Sequence, residues 1–149
     1  MRILICPDKF RGTATALAAA QAIAEGVSGA ARDIVLIPLA DGGEGTLAAL
    51  GGFNRVSSVT GPLGDPVEAR WRISGGRAVV EMAEASGLLT AGGAEGNDPL
   101  SATTSGTGEL ISEARTAGAK RIVIGVGGSA STDGGLGAIR AMEPLVRFS

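Results

Sequence analysis

The chain has 149 residues, of which 25 are Gly, about 17% against roughly 7% in average proteins. Hydrophobic residues make up 44% and Pro only 6 residues, so the glycines belong to a chain that can bury a core, which excludes a disordered linker. The net charge of -2 excludes a basic surface for nucleic acid or an anionic membrane. The length fits one domain or part of a larger protein.

Histidine is absent and Cys6 is the only cysteine. The absence of His excludes histidine triads, histidine bases and most zinc sites, so acid–base chemistry must use Asp, Glu or Lys. One thiol cannot form an internal disulfide, and no apolar run is long enough for a signal peptide or a membrane span. The sequence therefore predicts a cytoplasmic protein, with Cys6 as an inert residue of the core.

The first part of the chain is predicted to form a strand, a helix and a second strand. Residues 2–6 are a continuous apolar run, typical of a strand buried on both faces. Thr13 is a candidate cap for an Ala-rich helix that ends near Gly29. Residues 33–39 predict the next strand, which implies a parallel crossover, and a short helix follows through residues 47–50.

The middle of the chain has a different pattern. Residues 67–73 alternate apolar and charged side chains, as in an antiparallel strand with one wet face. The pair Gly75–Gly76 suits a tight hairpin turn, and residues 78–82 return as the partner strand. Trp71 and Met82 fall on the inward faces, where core packing is the expected role.

The last third predicts a helix after Thr103, with Leu110 and Ala114 on one face, and then a strand over residues 121–126. The predicted class is α/β, with parallel Rossmann-like or flavodoxin-like layers and an antiparallel hairpin insertion. The change of sheet type near residue 61 favours two domains. These are the first part of a flavodoxin-like domain over residues 1–60 and the start of a second α/β domain over residues 61–149.

Four polar, mostly Gly-rich segments adjoin predicted helix starts, and three of them follow a predicted strand. They are residues 8–13, 41–46, 103–109 and 127–135. Ligands of open α/β sheets bind beyond the carboxyl ends of strands, where helix N-termini attract anions, so phosphate is the natural ligand. Neither a Walker loop nor a GxGxxG fingerprint is present, and each segment alone also fits a tight turn with a helix cap.

Three carboxylates in these segments allow two interpretations. Asp41 and Glu44 flank two glycines and suit Mg²⁺ on a nucleotide, which takes one or two carboxylates plus phosphate oxygens. They equally suit a helix N-cap and a residue that offsets the helix dipole. Asp133, between Thr132 and Gly134, has the same two interpretations.

Asp8 and its neighbours form the other candidate group. Asp8, at the carboxyl end of the first strand, is a base, a metal ligand or only a turn residue. Lys9 and Arg11 are the best partners for a phosphate charge, although a solvated surface pair would have the same sequence.

Read together, these segments resemble the glycerate kinase family. The strings PDKFRGT, PLADGGEGT, VTGPLGDPV, TSGTGEL and GVGGSASTDGG occur in the order in which that family carries its signatures. The resemblance runs from Met1 to about Ala138 and covers well under half of a typical member. The chain thus resembles the N-terminal part of a glycerate 2-kinase.

The resemblance implies ATP-dependent phosphorylation of D-glycerate to 2-phosphoglycerate, with Mg²⁺, in the cleft between two α/β domains. It implies Asp8 or Asp133 as the base, and Lys9 and Arg11 on the transferred phosphate or the glycerate carboxylate. It implies Asp41 or Glu44 on Mg²⁺, with Glu44 also near the nucleotide. The remaining binding residues would be backbone or hydroxyl donors: Gly42, Gly43, Ser105, Gly106, Thr107, Gly108, Gly127, Gly128 and Ser129.

The expected partners are D-glycerate and ATP, without nucleic acid or membrane, and a homo-oligomer is left open. A different class of function is a truncated, non-catalytic anion-binding α/β module that needs a missing C-terminal half for turnover. A third option is another small-acid or sugar kinase with the same loops.

Overall fold

The computed structural model describes residues 1–10, 12–30 and 33–142, which divide into two compact units at Asp41–Gly42. The first unit contains β1 (Arg2–Ile5), α1 (Ala16–Val27) and β2 (Asp33–Leu36). β1 and β2 are parallel, with Ile3 opposite Ile34, and α1 packs against both strands. The predicted strand, helix and parallel strand are confirmed.

Three details of the first unit correct the predictions. The cap of α1 is Thr15, whose hydroxyl accepts the Ala18 N–H at 3.1 Å, whereas Thr13 donates its own N–H to Phe10 in the preceding turn. Leu4 is 59% exposed and Ile5 only 5%, so β1 is buried on one face and not on both, since successive side chains point to opposite faces. Cys6 is exposed rather than in the core, because it follows the last residue of β1.

The second unit is built on a four-stranded sheet in sequence order, from β3 (Arg55–Thr60) through β4 (Pro66–Ser74) and β5 (Arg77–Glu81) to β6 (Arg121–Gly125). The first two pairings are antiparallel and β5 pairs with β6 in parallel, so the mixed α/β class is confirmed. At the β4–β5 turn, Gly75 and Gly76 have φ of 56° and 74°. Two consecutive positive φ values are what a type I′ hairpin turn requires.

The helices of the second unit are α2 (Thr46–Ala49), α3 (Met82–Ser86), α4 (Gly93–Gly96), α5 (Ser105–Thr116) and α6 (Leu136–Met142). Met82 begins α3 and does not extend the strand, although it is buried as predicted. Among the described residues, no helix has the length and apolar character needed to cross a membrane.

The main core lies between the sheet and helices α3 and α5. Trp71 is 3% exposed, and its indole N–H donates to Ser57 at 2.9 Å, which confirms a packing role. The other fully enclosed members come from three strands and both helices: Val59, Ala69, Ala78, Val80, Ala85, Leu110 and Ala114. The alternation predicted for residues 67–73 thus places its small and aromatic residues inward.

The predicted domain ranges of 1–60 and 61–149 stay a prediction. The two compact units divide earlier, because α2 packs on β5 and β3 pairs with β4.

Helix α5 approaches its neighbours so closely that two of its positions have no room for a side chain. A Cβ at Gly106 would overlap the Thr60 carbonyl oxygen, and a Cβ at Gly108 would overlap the Ala138 carbonyl and lie 2.7 Å from the Ala138 Cα. Both obstacles are backbone, which cannot rotate away as a side chain does. The two glycines therefore set the distances from α5 to β3 and α6.

We expect Gly108→Ala to destabilise the protein by about 3 kcal/mol, because α6 must move away from α5 and overpacked cores lose this much. The matched control is Gly26→Ala in α1, where a Cβ meets no atom within 4 Å. That change should stabilise the protein by about 0.5–1 kcal/mol through helix propensity. Urea unfolding measures both, and equal effects of the two substitutions would contradict the close packing.

Candidate functional site

In the first unit, candidate residues gather at the carboxyl ends of β1 and β2. Because the strands are parallel, both ends lie at one edge, and the Leu39 N–H donates to the Pro7 carbonyl just beyond them at 2.9 Å. There the Lys9 ammonium lies 3.0 Å from Asp41 Oδ1. The Lys9 side chain is 19% exposed and that of Asp41 65%, so a largely enclosed cation is paired with a surface carboxylate.

Asp8 lies in the turn that follows β1 and is half-buried. Within the described residues, its carboxylate accepts one hydrogen bond, from the N–H of Lys9 at 2.6 Å. A carboxylate has about four acceptor positions, so this bond leaves Asp8 able to accept a further proton or donor. Arg11, predicted to help bind phosphate, lies outside the described residues.

In the second unit, two of the predicted loops contact each other at the end of β6. The Gly127 N–H donates to the Gly42 carbonyl at 2.8 Å, and a Cβ at Gly127 would lie 2.6 Å from the Gly43 Cα. A Cβ at Gly128 would lie 2.6 Å from Glu44 Oε1. The loops can approach this closely because their backbones carry no side chains at the points of contact.

Glu81, which the sequence analysis missed, holds the same region from the end of β5. It is 3% exposed, and its carboxylate accepts the Gly45 N–H at 3.2 Å and the Leu47 N–H at 2.7 Å. Burial raises the pKa of the Glu81 carboxyl, although the two N–H donors act to lower it. The sequence did contain a signal for this residue, a carboxylate at the end of an apolar strand. A charge that is buried in this way needs hydrogen-bond partners, so such a residue is a candidate for holding nearby segments.

Asp133 joins the N-terminal ends of α5 and α6. Its Oδ2 accepts the N–H and the hydroxyl of Thr104 at 2.9 and 2.8 Å, together with the Gly137 N–H at 3.1 Å. Its Oδ1 accepts the Gly135 N–H at 2.9 Å and the Ser131 hydroxyl at 3.2 Å. Asp133 thus ties two of the predicted loops, residues 103–109 and 127–135, into one network.

The hydrogen bonds determine how Asp133 ionises. Burial acts to raise the pKa of this carboxyl, but the Thr104, Gly135 and Gly137 donors outweigh it and hold the pKa at about 2. A general base works best with a pKa near the operating pH, so such a carboxylate is poorly suited to take a proton. Its geometry instead fits the alternative interpretation, a helix-capping carboxylate.

The hydroxyls at the start of α5 bond to other parts of the protein. Thr107 is 4% exposed and shares a 2.9 Å hydrogen bond with the Ser86 hydroxyl. Ser105 shares a 2.8 Å hydrogen bond with the Thr103 hydroxyl and is half-buried. Of these predicted donors, Thr107 therefore lies inside the protein and Ser105 closer to its surface.

Ser129 lies in the exposed part of the loop after β6. Its hydroxyl donates to the Ser131 carbonyl at 3.2 Å, and Gly87 pairs with Ser129 through an isolated β-bridge. The Leu88 N–H donates to the Gly128 carbonyl at 2.8 Å. The loop is thus attached to the segment after α3, with the Ser129 side chain towards solvent.

A groove of 690 Å³ lies beside α2, between β4 and α3. Its charged lining residues are Glu44, Glu68, Glu81, Glu84 and Arg70. Arg70 is already engaged, because its guanidinium donates two hydrogen bonds to Glu84 at 2.8 and 2.7 Å. Carboxylates outnumber the single guanidinium among the lining residues, which favours a cation over a phosphate in this groove.

The donor set restricts how the chain could hold Mg²⁺. Within residues 1–10, 12–30 and 33–142, no cluster of three or more His, Cys, Asp or Glu side chains could form a metal cage. Asp41 is paired with Lys9, and Glu44 lies in the acidic groove. These residues fit Mg²⁺ that arrives on nucleotide phosphates and takes one protein carboxylate, the usual arrangement for this ion.

The chain matches the sequence model of one known protein family. The model of the glycerate kinase family matches residues 3–146. The chain belongs to the glycerate kinase family. The match includes all four predicted loops and both compact units up to the last residues.

The relatives that this chain matches are longer proteins of the glycerate kinase family. It is 48% identical to a glycerate 2-kinase from Escherichia coli K12 and 48% identical to a glycerate kinase from Bacillus subtilis 168, in both cases over 95% of this chain and 39% of the relative. A crystal structure from Salmonella typhimurium LT2, provisionally named glycerate kinase 2, aligns with a TM-score of 0.71 and 42% identity over 95% of this chain and 40% of that one. The chain therefore spans about two fifths of the length of these relatives.

We expect Asp133→Asn to destabilise the protein by about 2 kcal/mol at neutral pH, the value of a carboxyl pKa lowered from 3.8 to about 2. Because the folded-state pKa is depressed, this stability is present above about pH 4 and is lost as pH falls towards 2. Urea unfolding at pH 7 and pH 3 should therefore separate the two proteins at pH 7 and bring them closer at pH 3. The control is Asp98→Asn, at an exposed aspartate that accepts hydrogen bonds within the turn at residues 98–101. An equal loss there would contradict the special role of Asp133.

Proposed function

We propose that this chain takes part in ATP-dependent phosphorylation of D-glycerate, with 2-phosphoglycerate as the product. The observation that carries the proposal is the match to the glycerate kinase family over residues 3–146. The relatives named glycerate kinase and glycerate 2-kinase support it over 95% of this chain. The chain spans 39% of the length of those relatives.

In this reaction a glycerate hydroxyl oxygen bonds to the γ-phosphorus of ATP, the bond to ADP breaks, and the hydroxyl proton passes to a carboxylate. We assign the proton to Asp8, whose carboxylate accepts a single hydrogen bond within the described residues. Asp133 was the other candidate, but its network and its pKa of about 2 favour a positioning role. The assignment follows from the number of donors that each carboxylate already accepts.

We assign Lys9 and Arg11 to the anionic groups of the substrates, the transferred phosphate or the glycerate carboxylate. The support for Lys9 is its enclosed ammonium, since a cation with little solvent around it interacts more strongly with an anion. Asp41 would then balance the Lys9 charge before the anion binds, and Glu44, which lines the acidic groove, is proposed to hold Mg²⁺.

The Gly-rich loops of the second unit are proposed to bind the nucleotide. Gly42, Gly127 and Gly128 are half-buried and Ser129 offers an exposed hydroxyl, whereas Gly43 is buried. Gly106, Gly108 and Thr107 are enclosed, so we propose that they shape the start of α5 and act on ligands indirectly. Mg²⁺, when bound with ATP, would neutralise charge on the transferred phosphoryl group.

A cytoplasmic location is part of the proposal. Cys6 is exposed and has no second cysteine in the sequence, and a reducing compartment would keep its thiol intact.

We expect Asp8→Asn to lower the rate of ADP release with D-glycerate and Mg-ATP by about 100-fold or more, the usual contribution of a general base. Thermal unfolding should stay unchanged, because Asp8 makes only a local hydrogen bond to Lys9. The control is Asp65→Asn, at an exposed position in the turn between β3 and β4. A coupled assay on this chain measures the rate, and ³¹P NMR identifies the phosphorylated hydroxyl.

Full turnover by Asp8→Asn would contradict its role as the base. No turnover by the unmodified chain, with glycerate still bound in calorimetry, would support the anion-binding module instead. Turnover with another small acid or a sugar in place of glycerate would point to the third option.

A further inference from the structure

The carboxylate of Glu81 lies where the Gly-rich loop after residue 41 enters α2. We propose that Glu81 is a positioning residue that fixes this loop and, through it, the carboxylate of Glu44. This inference rests on the proposed function, because it assigns Glu44 to the cation that accompanies ATP.

The contacts of Glu81 are long-range and specific. Its Oε1 and Oε2 each accept one backbone N–H, from Gly45 and Leu47, which lie 36 and 34 residues away in the chain. Helix α2 has no side-chain cap of its own, since its N-cap is Gly45, and its first turn has no acidic residue. The Glu81 side chain, from β5, therefore caps the N-terminal end of α2, whereas most helices are capped by a residue next to them in the sequence.

The other end of the loop is held from β6. The Gly127 N–H, just after β6, donates to the Gly42 carbonyl at 2.8 Å, and within the loop the Thr46 hydroxyl donates to the Gly43 carbonyl at 2.7 Å. Glu44 lies between the bonds at Gly42 and Gly45, so its backbone is fixed from two neighbouring strands. Outer-shell groups of this kind orient metal ligands, and their loss weakens metal binding.

The carboxylate form of Glu81 suits this task better than an amide would. Both of its oxygens face N–H donors, and a glutamine offers one acceptor oxygen and one NH₂ group. In Glu81→Gln one backbone N–H would therefore face another donor. The loop should lose one anchor while the size of the side chain stays the same.

The first measurement is amide hydrogen exchange of Gly45 and Leu47 in the full chain. Glu81→Gln should speed exchange roughly tenfold to hundredfold, as expected for the loss of a hydrogen bond to a charged group. The matched control is Glu84→Gln, which removes the same charge from the same groove but pairs with Arg70. It should leave both amides at the rate of the unmodified chain.

The second measurement is the Mg²⁺ dependence of ADP release. Glu81→Gln should raise the half-maximal Mg²⁺ concentration about tenfold, in line with other outer-shell changes, while saturating Mg²⁺ restores the rate. A purely structural defect would lower the rate at every Mg²⁺ concentration. Glu81→Asp, which keeps the charge, should show a smaller change in the same direction and serves if the glutamine variant fails to fold.

Exchange at the original rate in Glu81→Gln would overturn the inference, and so would faster exchange with an unchanged Mg²⁺ dependence. If the unmodified chain releases no ADP, the proposed function fails, while the exchange measurement still decides whether Glu81 holds the loop.

Discussion

The second unit depends on helix α5 lying in direct backbone contact with β3 and α6. This contact requires Gly106 and Gly108, because any side chain there would overlap the carbonyls of Thr60 or Ala138. The contact brings the N-terminal ends of α5 and α6 together, where the Asp133 carboxylate can reach donors on both. A steric requirement at two glycines thus creates the polar network at the start of the helices.

Two carboxylates organise the loops of this unit, and their surroundings shift their pKa values in opposite directions. Asp133 accepts several backbone and hydroxyl donors, which outweigh burial and lower its pKa. Glu81 is more deeply enclosed, so burial prevails over its two N–H donors and raises its pKa. The contrast follows from the balance between desolvation and hydrogen bonding to the charged form. Both residues hold loops through hydrogen bonds from backbone N–H groups.

The sequence was sufficient for the strong local patterns. Alternation over residues 67–73, the Gly75–Gly76 turn and the parallel strands were predicted correctly, because each follows from periodicity or turn chemistry. The strand β3 was missed because RVSSVT has few apolar residues and depends on pairing with β4. Glu81 was missed for a related reason. Its partners lie more than thirty residues earlier in the chain, and the periodicity and turn motifs of a short sequence segment cannot predict a contact over that distance.

The contacts of the candidate loops also change the interpretation of their glycines. A Gly-rich loop beside a helix start suggests phosphate binding because the N–H groups are open to an anion. Here the N–H groups of Gly45, Gly135 and Gly137 already donate to carboxylates of the protein itself. These three N–H groups are therefore not open to an anion, and Gly127 and Gly128 lie in close contact with Gly43 and Glu44. The carboxylates of Glu81 and Asp133 hold these loops in place, and the glycines allow the backbone of the loops to pack closely.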